Sequence, residues 1–427
     1  MSIESLYQIY LQHPIVSTDT RKIEPGCIFF ALKGPSFNGN AFAEKALELG
    51  AAYAVVDEAQ YQLNERFVLV DDVLTALQQL ARHHRKQSSI PFIAITGSNG
   101  KTTSKELVTA VLSQKFITYA TEGNLNNHIG VPLTILKIKK NAEMAVIEMG
   151  ANHQKEIASY CTIALPDYGI INNCGKAHLE GFGGIEGVRK GKGELYDFVR
   201  ENKGIIFRNT DLDYLKEMAA GIEQQITYGS TGAAYTGQIT DHRITLNIAV
   251  QAPAFSAELH SQLVGDYNFP NIMLAVAVGA HFGVSREQIK TAIENYQPDN
   301  SRSQLMKKRS NQIILDAYNA NPTSMRAAIA NFAGLEGDNK ILWLGAMKEM
   351  GTEEAYEHKA LVDFISQWSW KEVILVGQEF EPCKGVLTWF ADSEAAAGYI
   401  TAHKPGHAQI LIKGSRGSKM EKLLEAL

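Results

Sequence analysis

Residues 97–103, GSNGKTT, have the composition of a loop that binds phosphate. They lie between an apolar run, residues 92–96, and residues 102–115, whose apolar side chains recur with helical spacing. Glycines in such a loop let main-chain N–H groups approach phosphate oxygens closely, and the N-terminal end of the following helix attracts the same anion. Lys101 supplies a mobile cation, and Thr102 supplies a hydroxyl for Mg²⁺. We therefore predict that ATP binds to Gly97, Ser98, Asn99, Gly100, Lys101, Thr102 and Thr103.

This loop departs from an ordinary P-loop at Ile95, where that loop has its first glycine. The departure counts against a GTPase or a motor ATPase. A glycine-rich turn that binds no nucleotide is the plain alternative, but the order of strand, loop and helix favours phosphate binding.

Further polar residues follow other apolar runs. Glu148 ends the run AVIE, and a carboxylate at the carboxyl end of a strand beside a phosphate loop is well placed to bind Mg²⁺. A solvated glutamate is the alternative. His178 comes just after the run YGIINN, but a single histidine is more often structural than a ligand. From their residue types alone, Asn126 and Asn127 fit an asparagine-rich turn better than a binding role.

Composition and charge limit the class of protein. The chain has 427 residues, enough for two to four domains, with 41 basic and 46 acidic residues. That balance disfavours a nucleic acid as partner. The apolar runs are strand-sized rather than membrane-spanning, and we see no secretory signal at the N-terminus. The four scattered cysteines indicate reduced thiols, so we expect a cytoplasmic location.

Two polar stretches divide the chain into three blocks. Residues 82–91, RHHRKQSSIP, are expected to end a helix and form a short linker, and residues 296–303, YQPDNSRS, mark the second boundary. We therefore predict domains at 1–88, 89–299 and 300–427.

Apolar runs alternate with helix-like stretches in the second and third blocks, which predicts an α/β fold with mostly parallel sheets. Residues 235–264 break this alternation, and we expect them to form antiparallel strands, as an insertion or an extra sheet at one edge. In the third block, helices are expected at 323–333, 353–367, 393–402 and 417–427. The stretches DAYNANP, GAMKEMG and KGSRGS each follow a strand there and should line one edge of a doubly wound sheet.

Several stretches taken together resemble the Mur ligase family, the ATP-dependent amide-forming enzymes of peptidoglycan precursor synthesis. They are TGSNGKT (96–102), VIEMGANHQKEIA (146–158), INNCGKAHLEGFGG (171–184), VRKGKGELYDFV (188–199), ILDAYNANPTSM (314–325) and LIKGSRGSKME (411–421). Residues 17–51 are similar to the family's UDP-binding N-terminal domain. The resemblance implies a small N-terminal α/β domain, a central P-loop-type ATPase domain and a Rossmann-like C-terminal domain.

The resemblance also implies roles for residues around ATP. Two Mg²⁺ ions are expected, with His178 binding the second ion and Lys192 carbamylated by CO₂, whereas Lys190 is expected to be part of a basic helix face. The expected metal set is Thr102, Thr121, Glu148, His178 and Lys192, and the expected catalytic residues are Lys101, Glu148, His178 and Lys192. Asn271 is expected to contact adenine. The residues expected to meet ATP when the C-terminal domain closes are Arg302, Asp316, Tyr318, Asn319 and Asn321.

A second group of residues is expected to bind the two substrates other than ATP. A pocket for uridine diphosphate is predicted within residues 17–50, from hydroxyl, cationic and aromatic side chains: Ser17, Thr18, Arg21, Lys33, Asn38 and Phe42. Asn126 and Asn127 offer amides to phosphate, metal-bound water or substrate. Lys413, Ser415 and Arg416 are expected to bind a peptide carboxylate, for which the arginine fork is suited.

Within this family the motifs most resemble the ligases that add D-alanyl-D-alanine to a UDP-N-acetylmuramoyl-tripeptide through an acyl phosphate. We expect a monomer. Three positions depart from the family pattern: Ala317, Ala346 and Lys176, the last of which replaces a small residue. The alternatives are another Mur-family or folylpolyglutamate-type ligase and, from a different class, an ATP-gated protein that binds a nucleotide sugar.

Overall fold

The computed structural model describes residues 1–241, 244–252, 255–299 and 301–427. Its sheets confirm the expected α/β class, with one mainly parallel sheet in each predicted block. The boundaries at 88/89 and 299/300 stay predictions, and Asn300 lies outside the described residues. None of the described helices combines the length and the apolar character needed to cross a bilayer.

The N-terminal unit contains a small parallel sheet in the order β1-β2-β5-β6, with a two-stranded hairpin beside it. Its strands are β1 (Val16–Ser17), β2 (Ile28–Phe30), β3 (Lys33–Gly34), β4 (Phe37–Asn38), β5 (Tyr53–Val56) and β6 (Phe67–Leu69). Its helices are α1 (Ile3–Gln12), α2 (Ala43–Glu48) and α3 (Val73–Lys86).

The central unit is built on a larger sheet in the order β15-β14-β13-β12-β11-β10-β7-β9-β8. Its strands are β7 (Phe92–Thr96), β8 (Thr118–Ala120), β9 (Met144–Glu148), β10 (Tyr168–Ile171), β11 (Ile205–Asn209), β12 (Gln224–Gly229), β13 (Tyr235–Asp241), β14 (Thr245–Ala252) and β15 (Phe255–Val264). Its helices are α4 (Lys101–Leu112), α5 (Gly130–Leu136), α6 (Glu156–Ala164), α7 (Leu179–Phe182), α8 (Ile185–Glu201), α9 (Asp213–Met218), α10 (Phe269–His281) and α11 (Arg286–Asn295).

Strands β7 and β9 are buried along their whole length because helices cover both faces of the sheet. One face contacts α4, α10 and α11. The other contacts α5, α6 and α8, and α1 and α3 of the N-terminal unit continue that same core. The antiparallel strands β13–β15 extend this sheet at its edge rather than forming a separate one; residues 242, 243, 253 and 254 of that predicted segment lie outside the described residues.

The predicted linker is held firmly at Arg85, near the end of α3. Its guanidinium donates to the carbonyls of Ala164 and Leu165 at the end of α6, at 2.9 and 3.0 Å, and to that of Ser88 at 2.8 Å. It also pairs with Asp167 at 3.0 Å. These contacts join the N-terminal and central units through a short, fixed connection.

The C-terminal unit has the expected doubly wound form, with a sheet in the order β16-β17-β21-β18-β19-β20 and only the β16–β17 pair antiparallel. Its strands are β16 (Gln304–Lys308), β17 (Asn311–Asp316), β18 (Lys340–Gly345), β19 (Glu372–Val376), β20 (Thr388–Phe390) and β21 (Gln409–Lys413). Its helices are α12 (Pro322–Gly334), α13 (Glu354–Ile365), α14 (Ser393–Ala402) and α15 (Glu421–Ala426).

Most helix predictions agree with these bounds, but two ends were wrong. The helix after the phosphate loop ends at Leu112, three residues before the expected end. A tighter turn follows it, in which the main-chain N–H of Lys115 donates to the Leu112 carbonyl at 3.0 Å. The last helix begins at Glu421 rather than 417, because Lys419 has a left-handed main chain (φ 48°) that closes a short 3₁₀ turn first.

Candidate active site

The carboxyl ends of neighbouring parallel strands bring three of the four predicted catalytic residues, Lys101, Glu148 and His178, to one cavity. Residue Ile95 of β7 pairs with Glu148 of β9, and Thr96 pairs with Ile171 of β10. The phosphate loop, Glu148 and the segment after β10 therefore emerge side by side at one edge of the central sheet, where ligands bind in such folds.

The phosphate loop needs glycine at two positions. Gly97 and Gly100 have positive φ, 148° and 81°. A Cβ at Gly97 would lie 2.9 Å from Cβ of Asn172, and one at Gly100 would lie 2.7 Å from Oδ1 of Asn271. The Lys101 ammonium folds over the loop and donates to the carbonyls of Gly97 at 2.7 Å and Ser98 at 3.2 Å. The expected strand–loop–helix arrangement is therefore present, with the lysine at its centre.

Asn172 and Asn173, which the sequence reasoning did not select, lie against this loop. The Ser98 N–H donates to the main-chain carbonyl of Asn173 at 2.9 Å. The Asn173 side chain then binds the main chain of Asn99 twice, accepting from its N–H at 3.0 Å and donating to its carbonyl at 3.1 Å. The INN sequence at the end of a strand, beside a phosphate loop, is the signal that could have identified them.

Asn271 belongs to a buried polar network behind the loop. Its Oδ1 accepts from the Ser104 hydroxyl at 3.0 Å, and its Nδ2 donates to Asn268 at 2.8 Å. Asn172 also donates to Ser104, at 2.8 Å. These contacts make Asn271 a support for the loop, and its contact with adenine stays a prediction.

A cavity of about 800 Å³, here called the central cavity, lies between the central and C-terminal units. Seventeen of the predicted site residues line it: Ser98, Asn99, Gly100, Lys101, Thr102, Thr103, Asn126, Asn127, Glu148, His178, Asn271, Arg302, Asp316, Tyr318, Asn319, Asn321 and Lys413. Lining residues that the sequence reasoning missed include Tyr160, Asn172, Asn173, Asp211, Tyr214 and Tyr267. Residues predicted to bind ATP and residues predicted to bind the peptide substrates therefore line the same cavity.

Glu148 is the buried carboxylate of the central cavity. Its Oε1 accepts from the Asn126 amide at 2.7 Å, and its own N–H donates to the Thr121 hydroxyl at 2.9 Å. Within the described residues its Oε2 is buried and has no hydrogen-bond partner. Thr121 is buried and does not line the cavity, so its observed contact positions Glu148; its role as a metal ligand stays a prediction.

His178 contacts the C-terminal unit. Its Nδ1 lies close to the Glu349 carboxylate, and the neighbouring imidazole holds the pKa of that carboxyl below its usual range. Both residues have left-handed main chains, φ 52° and 62°. Strained main chain of this kind, costing about 1–3 kcal/mol per residue, is concentrated at functional sites.

Lys192 lies outside the cavity lining, on α8, with only 1% of its surface exposed. Its ammonium donates to the Ala151 carbonyl at 3.1 Å and lies 5.0 Å from the centre of the Phe182 ring. Burial, with the neighbouring charge of Lys101, lowers the pKa of Lys192 to about 7. Burial also lowers the pKa of Lys101 to about 8, partly opposed by Glu148. A large share of Lys192 is therefore a neutral amine near pH 7.

The C-terminal residues of the cavity form contacts among themselves. The Arg302 guanidinium stacks on the Tyr318 ring at 3.7 Å, and Lys413 pairs with Asp316 at 2.5 Å. Ser415, by contrast, is buried and donates to the Ala346 carbonyl at 2.6 Å. Arg416 has a 70% exposed side chain. Neither of these last two lines the cavity, and carboxylate binding by Lys413, Ser415 and Arg416 stays a prediction.

Polar contacts close the cleft between the two units. Lys176, which departs from the family pattern, pairs with Glu357 of α13 at 2.5 Å, and that carboxylate is only 2% exposed. The hydrogen bond from the Lys176 ammonium to Glu357 raises the pKa of Lys176. The Lys176 N–H also donates to the Thr323 hydroxyl at 3.2 Å, and Asn321 donates to Asn99 at 2.7 Å. The structure therefore has the C-terminal unit docked on the phosphate loop.

Comparison with known proteins agrees with this geometry over most of the chain. Family models match residues 14–85 (Mur ligase family, catalytic domain), 95–279 (Mur ligase middle domain) and 301–416 (Mur ligase, glutamate ligase domain). A curated relative, UDP-N-acetylmuramoyl-tripeptide–D-alanyl-D-alanine ligase of Escherichia coli, is 36% identical over 96% of this chain and 93% of its own. The chain belongs to the Mur ligase family.

Solved structures support the same assignment. MurF from Acinetobacter baumannii is similar at a TM-score of 0.88 with 32% identity, over 96% of this chain and 92% of that one. MurF ligase from Thermotoga maritima, solved in complex with ADP, has a TM-score of 0.87 with 26% identity, over 97% of both chains.

In this Mur ligase, the residues predicted to bind uridine diphosphate lie on the N-terminal unit and do not line the central cavity. Lys33 pairs with Asp57 at 2.9 Å and Glu58 at 3.1 Å, and Asn38 donates to Glu58 at 2.9 Å. Lys33 and Asn38 are therefore close neighbours on the β3–β4 hairpin, and both contact the Glu58 carboxylate.

The other residues predicted to bind uridine diphosphate lie near Lys33 and Asn38 in the sequence, and some of their side chains are exposed. Ser17 donates to the Asp19 carbonyl at 3.1 Å, Arg21 pairs with Asp19 at 2.7 Å, and Phe42 is exposed. Thr18 is half-buried between Ser17 and Asp19. Binding of uridine diphosphate by these residues stays a prediction.

Proposed function

We propose that this chain joins D-alanyl-D-alanine to the tripeptide of a UDP-N-acetylmuramoyl precursor, at the expense of ATP. The observation that carries the proposal is the central cavity, in which the phosphate loop, Glu148 and the asparagine-rich segment after β17 face one volume. The curated relative from Escherichia coli is named for this reaction, and 93% of its length is matched.

The chemistry must bring two anions together, because the tripeptide carboxylate has to attack the γ-phosphorus of ATP. Lys101 and the N-terminal end of α4 supply positive charge at that point. The attack would give an acyl phosphate and ADP; the amine of the dipeptide then attacks the acyl carbon, and phosphate leaves. The docked C-terminal unit keeps water from the acyl phosphate.

We propose that Mg²⁺ is held at Glu148 and Thr102. The donor set fits, because one buried Glu148 oxygen has no hydrogen-bond partner among the described residues and Thr102 lines the same cavity. The described part of the chain contains no cluster of three or more His, Cys, Asp or Glu placed to hold a metal ion. A magnesium site of one carboxylate completed by phosphate oxygens and water agrees with that donor set. When bound there, Mg²⁺ would neutralise part of the negative charge of the triphosphate.

We also propose that Lys192 carries a carbamate. Its neutral amine would add to CO₂, forming an N–C bond and releasing one proton, so that a buried neutral amine becomes an anion. The lowered pKa supports this, because only the neutral amine reacts. The anion would compensate the positive charge of Lys101, and through its carbamate Lys192 would serve as a ligand for Mg²⁺.

The position of the N-terminal unit supports a long substrate. The predicted uridine diphosphate residues lie outside the central cavity, so one molecule that uses both sites must bridge them. A nucleotide-linked muramyl peptide meets this requirement, whereas a free peptide does not. A cytoplasmic location, which the four free cysteines support, and a monomeric state are part of the same proposal.

The experiment is an ADP-release assay of the purified chain against a panel of donors and acceptors. We expect release only with UDP-N-acetylmuramoyl-tripeptide and D-alanyl-D-alanine together, and none with D-alanine, D-glutamate or a folate. Release with a folate and glutamate would instead identify a folylpolyglutamate-type ligase. Release without any acceptor would identify an ATP-gated protein, and either result would overturn the proposal.

A further inference from the structure

Asn99, at the tip of the phosphate loop, is held from two different units of the molecule. From the central unit, the Asn173 side chain fixes both main-chain groups of Asn99, at 3.0 and 3.1 Å. From the C-terminal unit, the Asn321 amide donates to the Asn99 side-chain oxygen at 2.7 Å. The residue that immediately precedes Gly100 and Lys101 is thus in direct contact with the unit that closes the cavity.

The local structure of α12 fixes the direction of this interdomain bond. Asn321 is the N-cap of α12, and its Oδ1 accepts from the Ser324 N–H at 2.9 Å. Ser324 returns the contact, since its hydroxyl accepts from the Asn321 N–H at 3.1 Å. With Oδ1 engaged by this capping box, Nδ2 is the group left to point at Asn99. Asn321 is buried at 6% exposure, so the bond is shielded from water.

We propose that Asn99 and Asn321 are positioning residues that couple docking of the C-terminal unit to the geometry of the phosphate loop. The inference rests on the proposed function, because the benefit is to phosphoryl transfer in a ligase. When the C-terminal unit docks, Asn321 fixes the Asn99 side chain, and Asn173 already fixes its main chain. The loop N–H groups and Lys101 are then in the reactive arrangement only when the acyl phosphate will be protected from water.

The hydrogen bond between Asn321 and Asn99 can be removed without removing the N-cap of α12. Asn321→Ser keeps an N-cap oxygen, because serine is as good a cap as asparagine, but its side chain is too short to reach Asn99. Asn99→Ala removes the acceptor from the other side. Asp392→Ala is the matched control: Asp392 caps α14 of the same unit by accepting from the Ala395 N–H at 2.8 Å, and it lies away from the cavity.

Two readouts on the full-length chain separate coupling from stability. We expect Asn321→Ser and Asn99→Ala each to lower kcat of the complete reaction about 5- to 10-fold, the size of one lost hydrogen bond, with little change in the thermal midpoint. The double variant should be no worse than either single variant, because both remove the same bond. Asp392→Ala should lower the thermal midpoint and leave kcat unchanged.

Hydrogen exchange provides a test that does not depend on ligase activity. Exchange of the amides in residues 97–103 should become faster in Asn321→Ser than in the unmodified chain, and should be unchanged in Asp392→Ala. Unchanged exchange in Asn321→Ser, or losses of kcat that multiply in the double variant, would overturn the coupling. If the unmodified chain shows no ligase activity, the proposed function fails, whereas the exchange experiment still decides the coupling.

Discussion

Lys192 provides the sharpest chemical prediction, because its environment and its proposed modification are linked. An ordinary lysine with a pKa near 10.4 has only about one neutral amine in 2,500 at pH 7. Burial lowers the pKa of Lys192 to about 7, so about half of it is neutral at that pH. The concentration of reactive amine is therefore roughly 1,000-fold higher than for a surface lysine.

The sign of the pH dependence follows from this shift. Carbamate formation consumes the neutral amine and releases a proton, so it is favoured above the lowered pKa and is lost as the pH falls through about 7. At pH 6 only about a tenth of the amine is neutral. We expect protein equilibrated in CO₂-free buffer to lose most of its ligase rate, to recover it with bicarbonate at pH 8, and to recover much less at pH 6.

The assay combines ligase rate with ¹³C NMR of protein equilibrated with ¹³C-bicarbonate. We expect one carbamate resonance, which is absent in Lys192→Ala, and a nearly inactive Lys192→Ala variant that short carboxylic acids partly restore. Lys190→Ala is the matched control, since Lys190 is exposed on the same helix, and it should keep both the resonance and the rate. Full activity of Lys192→Ala, or a carbamate resonance that persists in it, would refute the reasoning.

Three further predictions concern the cavity and its closure. Lys101→Ala should leave the fold intact but raise the activation free energy of acyl-phosphate formation by about 3–4 kcal/mol, and near-normal ADP release by this variant would contradict the role of Lys101. Thr102→Ala should mainly weaken Mg²⁺-dependent nucleotide binding. Glu148→Gln keeps an oxygen for the Asn126 amide, so the thermal midpoint should hold while the Mg²⁺ concentration for half-maximal rate rises about 10-fold or more; an unchanged Mg²⁺ requirement would exclude Glu148 as a ligand. Lys176→Met should leave the buried Glu357 carboxylate with only its longer contact to Arg326, at 4.0 Å, and should increase the radius of gyration in solution scattering. Adding Glu357→Gln should reverse much of the change, and equal scattering curves for Lys176→Met and the unmodified chain would show that this contact does not hold the two units together.

Local sequence patterns predicted the parts of the fold that are set by neighbours along the chain. The apolar run of β7 and the spacing of apolar residues in α4 gave the strand, loop and helix because each depends only on nearby residues. The start of α15 was missed because a left-handed Lys419 interrupts it, and nothing in the residue types marks that main-chain state.

The position of a site residue was predictable where its residue type has one clear use. Lys101 and Glu148 line the central cavity, and their roles there stay predictions. Contacts between distant segments were not accessible from the sequence, such as the hydrogen bond from Asn321 to Asn99 and the pairing of Lys413 with Asp316. Those contacts depend on which loops the three-dimensional fold brings together.

Lys176 shows how a departure from a family pattern acquires meaning in the structure. The sequence marks it only as a large residue where a small one is common. In the fold it reaches Glu357 of the C-terminal unit at 2.5 Å. The departure therefore lies at the cleft between units and bears on how the cavity closes.

The most direct test of the central claim follows oxygen from substrate to product. The tripeptide precursor is prepared with ¹⁸O at both oxygens of its terminal carboxylate and incubated with the protein, ATP, Mg²⁺ and D-alanyl-D-alanine, and both products are analysed by mass spectrometry. We predict one ¹⁸O in each released phosphate, together with a precursor heavier by one dipeptide less water. Phosphate without ¹⁸O, release of AMP in place of ADP, or an unchanged precursor mass would contradict ligation through an acyl phosphate.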